Sequence, residues 1–482
     1  MTLNNFIEDR WVASHGDTTF EKRNPADERD LIGIFRASSA GDVQEAVRAA
    51  RRALPAWRAL SYDARAQFLF RAAERIAARQ TEIAAALTRE EGKSLAEANG
   101  ETARGAVILR YFAGDALRSV GEVLPSLNAN TMLFTERLPL GVVGLITPWN
   151  FPFVIPVWKA APALLYGNTV VLKPSEHSPV TAQMLAEIFH QAGLPAGVFN
   201  LVQGGRETGE ALTRADGMNG ISFTGSAAAG KVIARTCAER GVRYQLEMGG
   251  KNPVVVLEDA NLDRAVELTI QGAMKLAGEK CTATARAIVV ENIADEFVRR
   301  LVGRVKELEV GPGTDGRYYL GPLISAAAQA NVLRHIERAQ QEGARLLCGG
   351  AIDGRDDTAR GHYVSPAVLD NVRPEMAIAQ EEVFGPVLAV LRVPDFDAAL
   401  RVANDIAYGL SASVFTRSLD KAFRFAREVE AGLVRINGDT ATLEPQAPFG
   451  GLKGSSSFSR ENGQAAKEFY TQLKTISVDR AD

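Results

Sequence analysis

Residues 141–174 read GVVGLITPWNFPFVIPVWKAAPALLYGNTVVLKP, and this stretch decides the fold class. Two short apolar runs, Val142–Ile146 and Thr169–Leu172, enclose a segment of helical character near residues 153–166. Apolar strands that alternate with helices are typical of parallel strands buried on both faces. The stretch therefore predicts a strand–helix–strand unit of a doubly wound α/β domain.

The same alternation continues toward the C-terminus. In chain order, the predicted segments are a helix near 180–192, a strand at 198–202, a helix near 206–214, strands at 220–223 and 253–257, and, after another helix, a strand at 287–290. The pattern restarts near Asn252, which predicts a second α/β domain that reaches to about residue 436.

The first third of the chain is predicted to be helical. Apolar residues recur at helical spacing from Asp42, which is available as a cap, and again over Ala64–Leu87. A further helix is predicted from about residue 98 to Leu117. The glycine-containing segment after residue 223 is expected to precede a helix that Gly230 opens.

Two β-prone segments lie outside this pattern. Residues 122–140 resemble a hairpin more than a core strand, and Leu473–Val478 is predicted to be a final strand. Both look too detached to pack only within their own subunit. Because exposed strand edges need a partner, we expect a homodimer or a homotetramer built from dimers.

Composition excludes several classes of protein. The chain has 482 residues, 46% of them hydrophobic, and a formal net charge of −3, so it suits several packed domains and not a polyanion-binding surface. Its 55 Lys and Arg residues are scattered, which argues against nucleic acid as a partner. No apolar run approaches the roughly 20 residues of a membrane span, and Met1–Asn5 lacks a secretory signal. We expect a cytoplasmic protein without a membrane partner.

Five segments carry residue types suited to chemistry, although each is weak by itself. The turn Phe223–Ser226 follows a predicted strand, as a phosphate-binding turn does. Lys173–Glu176 lies at the carboxyl end of another strand, where α/β sheets bind ligands. A simple tight turn and a solvated Lys/Glu pair are the alternative interpretations.

The other three segments offer a nucleophile, a base and a hydrogen-bond donor. Cys281 lies among small residues, and its thiolate can attack a carbonyl carbon. Glu247 precedes a Gly-Gly pair, where desolvation would raise its pKa toward that of a working base. Asn150 is flanked by two prolines that fix its amide. Cys237 and Cys348 are expected to be ordinary thiols, without a disulfide or a metal site.

Taken together and in this order, these segments resemble the aldehyde dehydrogenase superfamily. The similarity runs from the N-terminal helices to the last strand, and seven segments in register make it specific. They are Thr147–Pro152, Lys173–Glu176, Phe223–Ser226, Glu247–Lys251, Gly278–Cys281, Glu381–Pro386 and Pro448–Lys453. The resemblance implies an aldehyde dehydrogenase-like fold, with two doubly wound α/β domains and a small β oligomerisation arm.

The resemblance also implies a division of the chain into three parts. Residues 1–121 and 141–251 would form a discontinuous dinucleotide-binding domain, and residues 252–440 a catalytic domain that carries the nucleophile. Residues 122–140 and 463–482 would form the oligomerisation arm.

The resemblance assigns the catalytic roles. Cys281 would attack the aldehyde, and the oxyanion would lie between the Asn150 amide and the Cys281 backbone N–H. After hydride loss, Glu247 would activate the water that hydrolyses the thioester to a free acid. Lys159 and Glu461 match positions that relay the proton of this glutamate. The presence of Glu247 disfavours the CoA-acylating branch, which generally lacks it.

The implied cofactor is NAD, with NADP as an alternative. Its expected contacts are Ile146, Trp149, Lys173, Ser175, Glu176, Gly205, Gly225, Ser226, Glu382 and Phe384. Glu176 would pair with a free 2′-hydroxyl and repel a 2′-phosphate, whereas Lys173 and Ser175 can accommodate a phosphate. Glu382 would hold the nicotinamide ribose and Phe384 would pack beside the ring.

One position departs from the family pattern. Glu279 stands where the family usually has glutamine, two residues before the nucleophile. A carboxylate that faced the thiol would raise the pKa of Cys281.

The expected aldehyde tunnel is mostly apolar, lined by Phe151, Ile155, Trp158, Thr282 and Phe449. Trp158 stands where succinate semialdehyde dehydrogenases typically carry an arginine, so their carboxylate anchor is missing. Alignment with the family directs Arg104 toward the tunnel, where it can bind a distal carboxylate; a surface arginine is the alternative.

The segments Asn150–Lys173 and Lys453–Ser457 look most like dehydrogenases for 2-oxoglutarate semialdehyde (2,5-dioxopentanoate). Aromatic or medium aliphatic aldehydes are the alternative substrates. From other classes, a non-catalytic dinucleotide-binding or structural protein and a thioesterase-like hydrolase remain as rival functions.

Overall fold

The computed structural model describes residues 2–118, 120–352, 354, 357–442 and 444–480. Residues 1, 481 and 482, which the predicted domain boundaries include, lie outside the described residues. The strands, in chain order, are β1 (Thr2–Leu3), β2 (Asn5–Ile7), β3 (Arg10–Val12), β4 (Thr19–Asn24), β5 (Asp27–Arg36), β6 (Val123–Leu124), β7 (Thr131–Pro139), β8 (Val142–Ile146), β9 (Thr169–Lys173), β10 (Phe199–Leu201), β11 (Gly220–Thr224), β12 (Arg243–Glu247), β13 (Asn252–Val256), β14 (Thr284–Val290), β15 (Arg345–Gly350), β16 (Ser365–Asp370), β17 (Val387–Val393), β18 (Tyr408–Gly409), β19 (Ser411–Phe415), β20 (Leu433–Ile436), β21 (Leu452–Lys453) and β22 (Thr471–Asp479).

The α-helices are α1 (Ala40–Ala59), α2 (Tyr62–Ala78), α3 (Gln80–Glu91), α4 (Leu95–Gly114), α5 (Val154–Leu165), α6 (Pro179–Gln191), α7 (Arg206–Arg214), α8 (Ala227–Glu239), α9 (Leu262–Met274), α10 (Glu291–Val305), α11 (Ala326–Gln341), α12 (Ala377–Gln380), α13 (Phe396–Asn404), α14 (Leu419–Glu428) and α15 (Ala466–Tyr470). Short 3₁₀ helices cover Asp115–Leu117, Lys275–Gly278 and Gly463–Ala465.

Two seven-stranded sheets carry the architecture. The first has the order β12-β11-β8-β9-β10-β2-β3, and its first five strands are parallel. The second has the order β15-β16-β17-β14-β13-β19-β20 and is parallel except for β15. The prediction of two doubly wound α/β units is therefore confirmed.

The stretch at 142–173 shows why these strands are buried on both faces. Val143 and Leu145 of β8 belong to one apolar core, whereas Val142 and Ile146 belong to the core on the opposite face. Successive side chains of a strand point to opposite faces, so an unbroken apolar run can fill two cores at once. Helices packed on both sides of the sheet follow from that pattern.

The third predicted element is a small sheet formed by distant parts of the chain. β22 pairs antiparallel with β7 along its whole length, from Thr471 opposite Pro139 to Asp479 opposite Thr131. β6 pairs with the other edge of β7, which confirms the predicted hairpin. The division of the chain into two domains and an oligomerisation arm stays a prediction.

Three local predictions need correction. Residues 2–36 form β1 to β5, although the first third of the chain is predicted to be helical. Helix α1 begins at Ala40 because Ser39 is its N-cap, and Asp42 completes the capping box from the third helical position. Helix α8 begins at Ala227 with Ser226 as its cap, so Gly230 lies inside the first turn and does not open the helix.

Helix α4 also differs slightly from its prediction. It runs over Leu95–Gly114 because Ser94 and Glu97 form a capping box, and the chain then continues as a 3₁₀ turn. Among the residues that the structure describes, none of the helices combines the length and apolar character that crossing a bilayer requires.

Candidate active site

The predicted site residues lie where an edge of the first large sheet meets an edge of the second. In sheet order, the carboxyl ends of the first sheet carry Glu247 on β12, Gly225 and Ser226 after β11, Ile146 and Trp149 at β8, Lys173, Ser175 and Glu176 at β9, and Gly205 after β10. Only residues 248–251 separate the end of β12 from the start of β13. The carboxyl edge of the first sheet therefore meets the amino edge of the second, and Cys281 and Glu382 precede strands of that second sheet.

The nucleophile follows an unusual turn. Leu276 and Ala277 have positive φ values of 54° and 48°, which non-glycine residues rarely adopt, and Gly278 follows with 71°. A Cβ atom on Gly278 would lie 2.2 Å from the carbonyl oxygen of Gly385, so only glycine fits. The Asn252 amide donates to the Cys281 carbonyl oxygen at 2.8 Å, which holds the far side of the turn.

The side chain of Asn150 joins the two sheets. It is 3% exposed, and its Nδ2 donates to the carbonyl oxygen of Glu279 at 2.9 Å, two residues before Cys281. An amide nitrogen carries two N–H groups, so the bond to Glu279 fixes the orientation and leaves a second N–H group available to a ligand. Hydrogen bonds from the backbone N–H groups of Thr282 and Cys281 act to lower the pKa of the thiol.

The carboxyl group of Glu279 points away from the thiol. It is 1% exposed, and its Oε1 accepts a hydrogen bond from the backbone N–H of Ile324 at 3.1 Å. Burial, and then the charge of Glu91, raise the pKa of Glu279 well above its usual value. The pKa of the nucleophile is raised by other groups: burial, then the charges of Glu382 and Glu247, raise the pKa of Cys281 to about 12.

Glu247 has the environment of a general base. It is 1% exposed, its Oε2 accepts a hydrogen bond from the Ser456 hydroxyl at 2.5 Å, and its Oε1 has no partner among the described residues. Burial, and then the charge of Glu461, raise its pKa well above the usual value. A carboxylate of raised pKa with a free oxygen can take a proton from water.

Lys159 and Glu461 form a buried ion pair beside this base. They are 1% and 3% exposed, and the Lys159 ammonium contacts Glu461 Oε1 directly. The Ser222 hydroxyl bridges them, since it accepts from Lys159 Nζ at 2.8 Å and donates to Glu461 Oε1 at 3.2 Å. The charge of Glu461 acts on Glu247, so the structure brings the predicted relay residues together.

The predicted dinucleotide residues fit a phosphate and a ribose. Helix α8 starts directly after β11, its cap Ser226 is exposed, and the Ser226 hydroxyl accepts from the Ala229 N–H at 3.3 Å. A helix N-terminus at the carboxyl edge of a parallel sheet suits a pyrophosphate. Lys173 is buried and donates to the Gly204 carbonyl at 3.1 Å, while Glu176 is half-buried on the same loop.

On the second sheet, Glu382 lies against the Gly249–Gly250 turn. Its Oε1 accepts from the Gly250 N–H at 3.0 Å, and a Cβ atom on Gly249 would lie 2.1 Å from its Oε2. Burial raises the pKa of Glu382 to about 7. Phe384 and Trp149 form an edge-to-face pair with ring centroids 5.5 Å apart, so these two predicted cofactor contacts lie side by side.

The expected tunnel residues divide into two groups. Trp158 and Phe449 are buried and lie 5.5 Å apart, centroid to centroid, and Ile155 lies on the same helix as Trp158. Thr282, which is 4% exposed, follows the nucleophile. Phe151 is half-buried, and the ammonium of Lys93 stands 4.7 Å from its ring centroid.

Arg104 is half-buried on α4, three residues after Glu101, whose carboxylate accepts hydrogen bonds from the start of α5. Residues three apart share a helix face, so Arg104 stands one turn along the face of α4 that is turned toward α5.

Sequence reasoning missed the hydroxyl groups that orient the acids. Ser456 holds Glu247, and Ser222 holds Lys159 and Glu461. The serine run at 455–457 was visible, but a hydroxyl in a loop gives no sign of a partner 209 residues away. The described residues contain no group of three or more metal-ligating side chains.

This geometry brings together a thiol, an amide donor and a base of raised pKa, and the same edge of the first sheet carries a helix N-terminus that suits a dinucleotide. The chain belongs to the Aldehyde dehydrogenase family, which its sequence matches over residues 11–476. It is therefore an aldehyde dehydrogenase, an enzyme that oxidises an aldehyde to the acid with a nicotinamide dinucleotide as hydride acceptor. The intact set of Cys281, Glu247 and Asn150 argues against a non-catalytic protein, and the cofactor segments argue against a thioesterase-like hydrolase.

Two relatives and one solved structure are similar to the chain over nearly its whole length. The chain is 49% identical to the alpha-ketoglutaric semialdehyde dehydrogenase of Bacillus subtilis, over 99% of this chain and 98% of the relative. It is 38% identical to the 2,5-dioxopentanoate dehydrogenase of Saccharolobus solfataricus, over 98% of each. Betaine aldehyde dehydrogenase of Staphylococcus aureus, solved in complex with NAD⁺, has a similar structure, with a TM-score of 0.96 at 34% identity over 99% of this chain and 95% of the other.

The charge of Glu382 gives a testable effect on the nucleophile. Glu382→Gln removes a negative charge that raises the pKa of Cys281, so the apparent thiol pKa falls by roughly one unit. Because Glu382 itself has a pKa of about 7, the effect appears above that pH, where the carboxylate is ionised. The pH dependence of Cys281 alkylation by iodoacetamide measures it.

Glu381→Gln is the matched control, since Glu381 is exposed and paired with Arg338 at 3.1 Å. Equal alkylation profiles for Glu382→Gln and Glu381→Gln would show that Glu382 does not act on the thiol.

Proposed function

We propose that the chain oxidises 2,5-dioxopentanoate, a semialdehyde with a distal carboxylate, to the dicarboxylic acid. The observation that carries the mechanism is the hydrogen bond from Asn150 to the Glu279 carbonyl, because it holds an amide donor at the turn of Cys281. The names of the relatives at 49% and 38% identity support the substrate.

The first half of the reaction belongs to Cys281 and Asn150. The Cys281 thiol first loses its proton, and the thiolate sulfur then adds to the aldehyde carbon and forms a thiohemiacetal. The developing oxyanion accepts hydrogen bonds from the second Asn150 N–H and from the Cys281 backbone N–H, and one such donor contributes about 3 kcal/mol to lowering the barrier. When bound, the nicotinamide dinucleotide accepts the hydride that leaves this carbon.

The second half belongs to Glu247. The thioester on Cys281 is hydrolysed by water that loses a proton to Glu247 Oε1, the oxygen without a partner among the described residues. The thiolate leaves and the free acid is released. The charge of Glu461, which is itself paired with Lys159, raises the pKa of Glu247 and so stabilises the proton that Glu247 takes from the water.

We propose NAD as the preferred cofactor. Glu176 is half-buried beside the loop of Gly205, and its carboxylate would bond to the adenosine ribose and repel a 2′-phosphate. Lys173 already donates to the Gly204 and Gly205 carbonyl oxygens, at 3.1 and 3.5 Å. Glu382 and the Trp149–Phe384 pair would hold the ribose and ring of the nicotinamide.

A second candidate substrate class is favoured by the tunnel lining. The contact between Trp158 and Phe449, together with Phe151, would suit an aromatic or medium aliphatic aldehyde.

The proposed oligomeric assembly rests on one exposed edge strand. β22 is an edge strand whose Leu473 and Val478 are 56% and 51% exposed, which supports a homodimer or homotetramer built on this sheet. A cytoplasmic location stays a prediction.

Substitution of Arg104 tests whether the substrate carries a distal carboxylate. With 2,5-dioxopentanoate, Arg104→Ala is expected to lower kcat/KM by about 10- to 100-fold, since a buried charge-assisted hydrogen bond contributes roughly 1.5–3 kcal/mol. With benzaldehyde and hexanal, the same variant changes kcat/KM by less than about twofold.

Arg110→Ala is the control, because Arg110 is exposed on the same helix. If wild type prefers hexanal or benzaldehyde and Arg104→Ala leaves all three rates unchanged, the semialdehyde proposal is wrong.

Glu176 tests the cofactor preference. Glu176→Gln removes the charge that repels a 2′-phosphate, and the ratio of kcat/KM with NADP to that with NAD is expected to rise by about 5- to 20-fold. Glu207→Gln, an exposed change on α7, should leave the ratio unaltered. No relative gain for NADP in Glu176→Gln would contradict the assigned role.

A further inference from the structure

Lys93, just before α4, is buried next to Asn150, the proposed oxyanion donor. It is 3% exposed, and its Nζ donates to the backbone carbonyl of Asn150 at 2.8 Å and to Glu101 Oε2 at 2.5 Å. Burial would lower the pKa of Lys93, but the charges of Glu101 and Glu91 raise it above its usual value. The ammonium is therefore charged and bound to the residue whose side chain is the proposed oxyanion donor.

Glu101 extends this contact to the start of α5. Its Oε1 accepts hydrogen bonds from the Phe153 and Val154 N–H groups, at 2.9 and 3.0 Å. Helix α5 begins at Val154, and its N-cap residue Phe153 provides no side-chain cap of its own. A carboxylate from another helix thus satisfies N–H groups that would otherwise lack partners.

Glu97, one turn earlier on α4, reaches the other half of the site. Its Oε2 accepts from the Ser94 N–H at 3.0 Å in the capping box, and its Oε1 accepts from the Leu276 N–H at 2.8 Å. Leu276 is the first of the three left-handed residues that precede Cys281. Glu97 and Glu101 are four residues apart and lie on one helix face.

We propose that Lys93, Glu97 and Glu101 are positioning residues that set the Asn150 amide at its working distance from Cys281. The three side chains fix both partners to a single short segment, residues 93–101, with Lys93 and Glu101 on the Asn150 side and Glu97 on the Cys281 side. The inference rests on the proposed roles of Cys281 and Asn150 and adds three residues that neither contact the aldehyde nor exchange protons with it.

A double-mutant cycle tests the Asn150 side. Lys93→Met is expected to lower kcat by about 10- to 100-fold with KM nearly unchanged, because a displaced amide weakens only the transition state. In an Asn150→Ala background the same change should lower kcat by less than about twofold, since the group it positions is gone. Lys421→Met, at a surface pair with Glu258, is the control.

The Glu97 side is tested by rescue. Glu97→Ala should change the rate of Cys281 alkylation, measured without cofactor or aldehyde, by about fivefold or more. Glu97→Gln should restore most of this rate, because its amide oxygen can still accept from the Leu276 N–H while its NH₂ group faces the Ser94 hydroxyl. If Lys93→Met fails to fold, Glu101→Gln replaces it: it keeps an acceptor for α5 but places an N–H group against the lysine.

Three outcomes separate the hypotheses. An equal loss of kcat from Lys93→Met, or from Glu101→Gln, in the wild-type and Asn150→Ala backgrounds would overturn the positioning role, as would alkylation that is equally altered in Glu97→Gln and Glu97→Ala. Full activity of Asn150→Ala alone would instead refute the proposed oxyanion site.

Discussion

The hydrogen bond between the Asn150 amide and the Glu279 carbonyl, 2.9 Å long, is the contact on which the chemistry depends. The amide follows the carboxyl end of a strand in the first sheet, and the carbonyl precedes a strand of the second. Neither sheet alone holds both the nucleophile and the side-chain oxyanion donor. Because only residues 248–251 separate β12 from β13, chain connectivity brings these two edges together, and the side-chain contacts then fix their register.

Burial is the main cause of the raised pKa values at the active site. It is the largest cause that raises the pKa of Glu247, of Cys281 and of Glu382, and the charges of both glutamates further raise the pKa of the thiol. Such crowding disfavours several negative charges at once, so deprotonation of the thiol and ionisation of the base are linked events. Perturbed groups of this kind mark functional sites. Glu279 is only two residues from Cys281 in sequence, but a hydrogen bond from the Ile324 N–H holds its carboxyl group away from these residues.

The sequence pattern predicts correctly the helices and strands in which every residue is buried and apolar residues dominate. β8, α5 and β9 were placed to within a residue or two because an apolar strand filled from both faces has a clear pattern. β12 was missed because Arg243 and Gln245 look polar, yet Gln245 is fully buried and donates to Ser459 and to the Arg460 carbonyl. β4 alternates between exposed residues and partly or fully buried ones, and its fully buried residue is Lys22, so the strand has no apolar run. The orientation of Glu279 and the Ser456 contact depend on residues 45 and 209 positions away, beyond any local pattern.

The proposed mechanism requires a covalent intermediate on Cys281. The most direct measurement is peptide mass spectrometry of the Glu247→Gln protein after mixing with NAD⁺ and 2,5-dioxopentanoate or hexanal, because loss of the base should leave the thioester unhydrolysed. We expect one acyl group per chain, on the peptide that contains Cys281, with the Cys237 and Cys348 peptides unmodified. NADH formation without an acylated Cys281, or an acyl group on another cysteine, would contradict it.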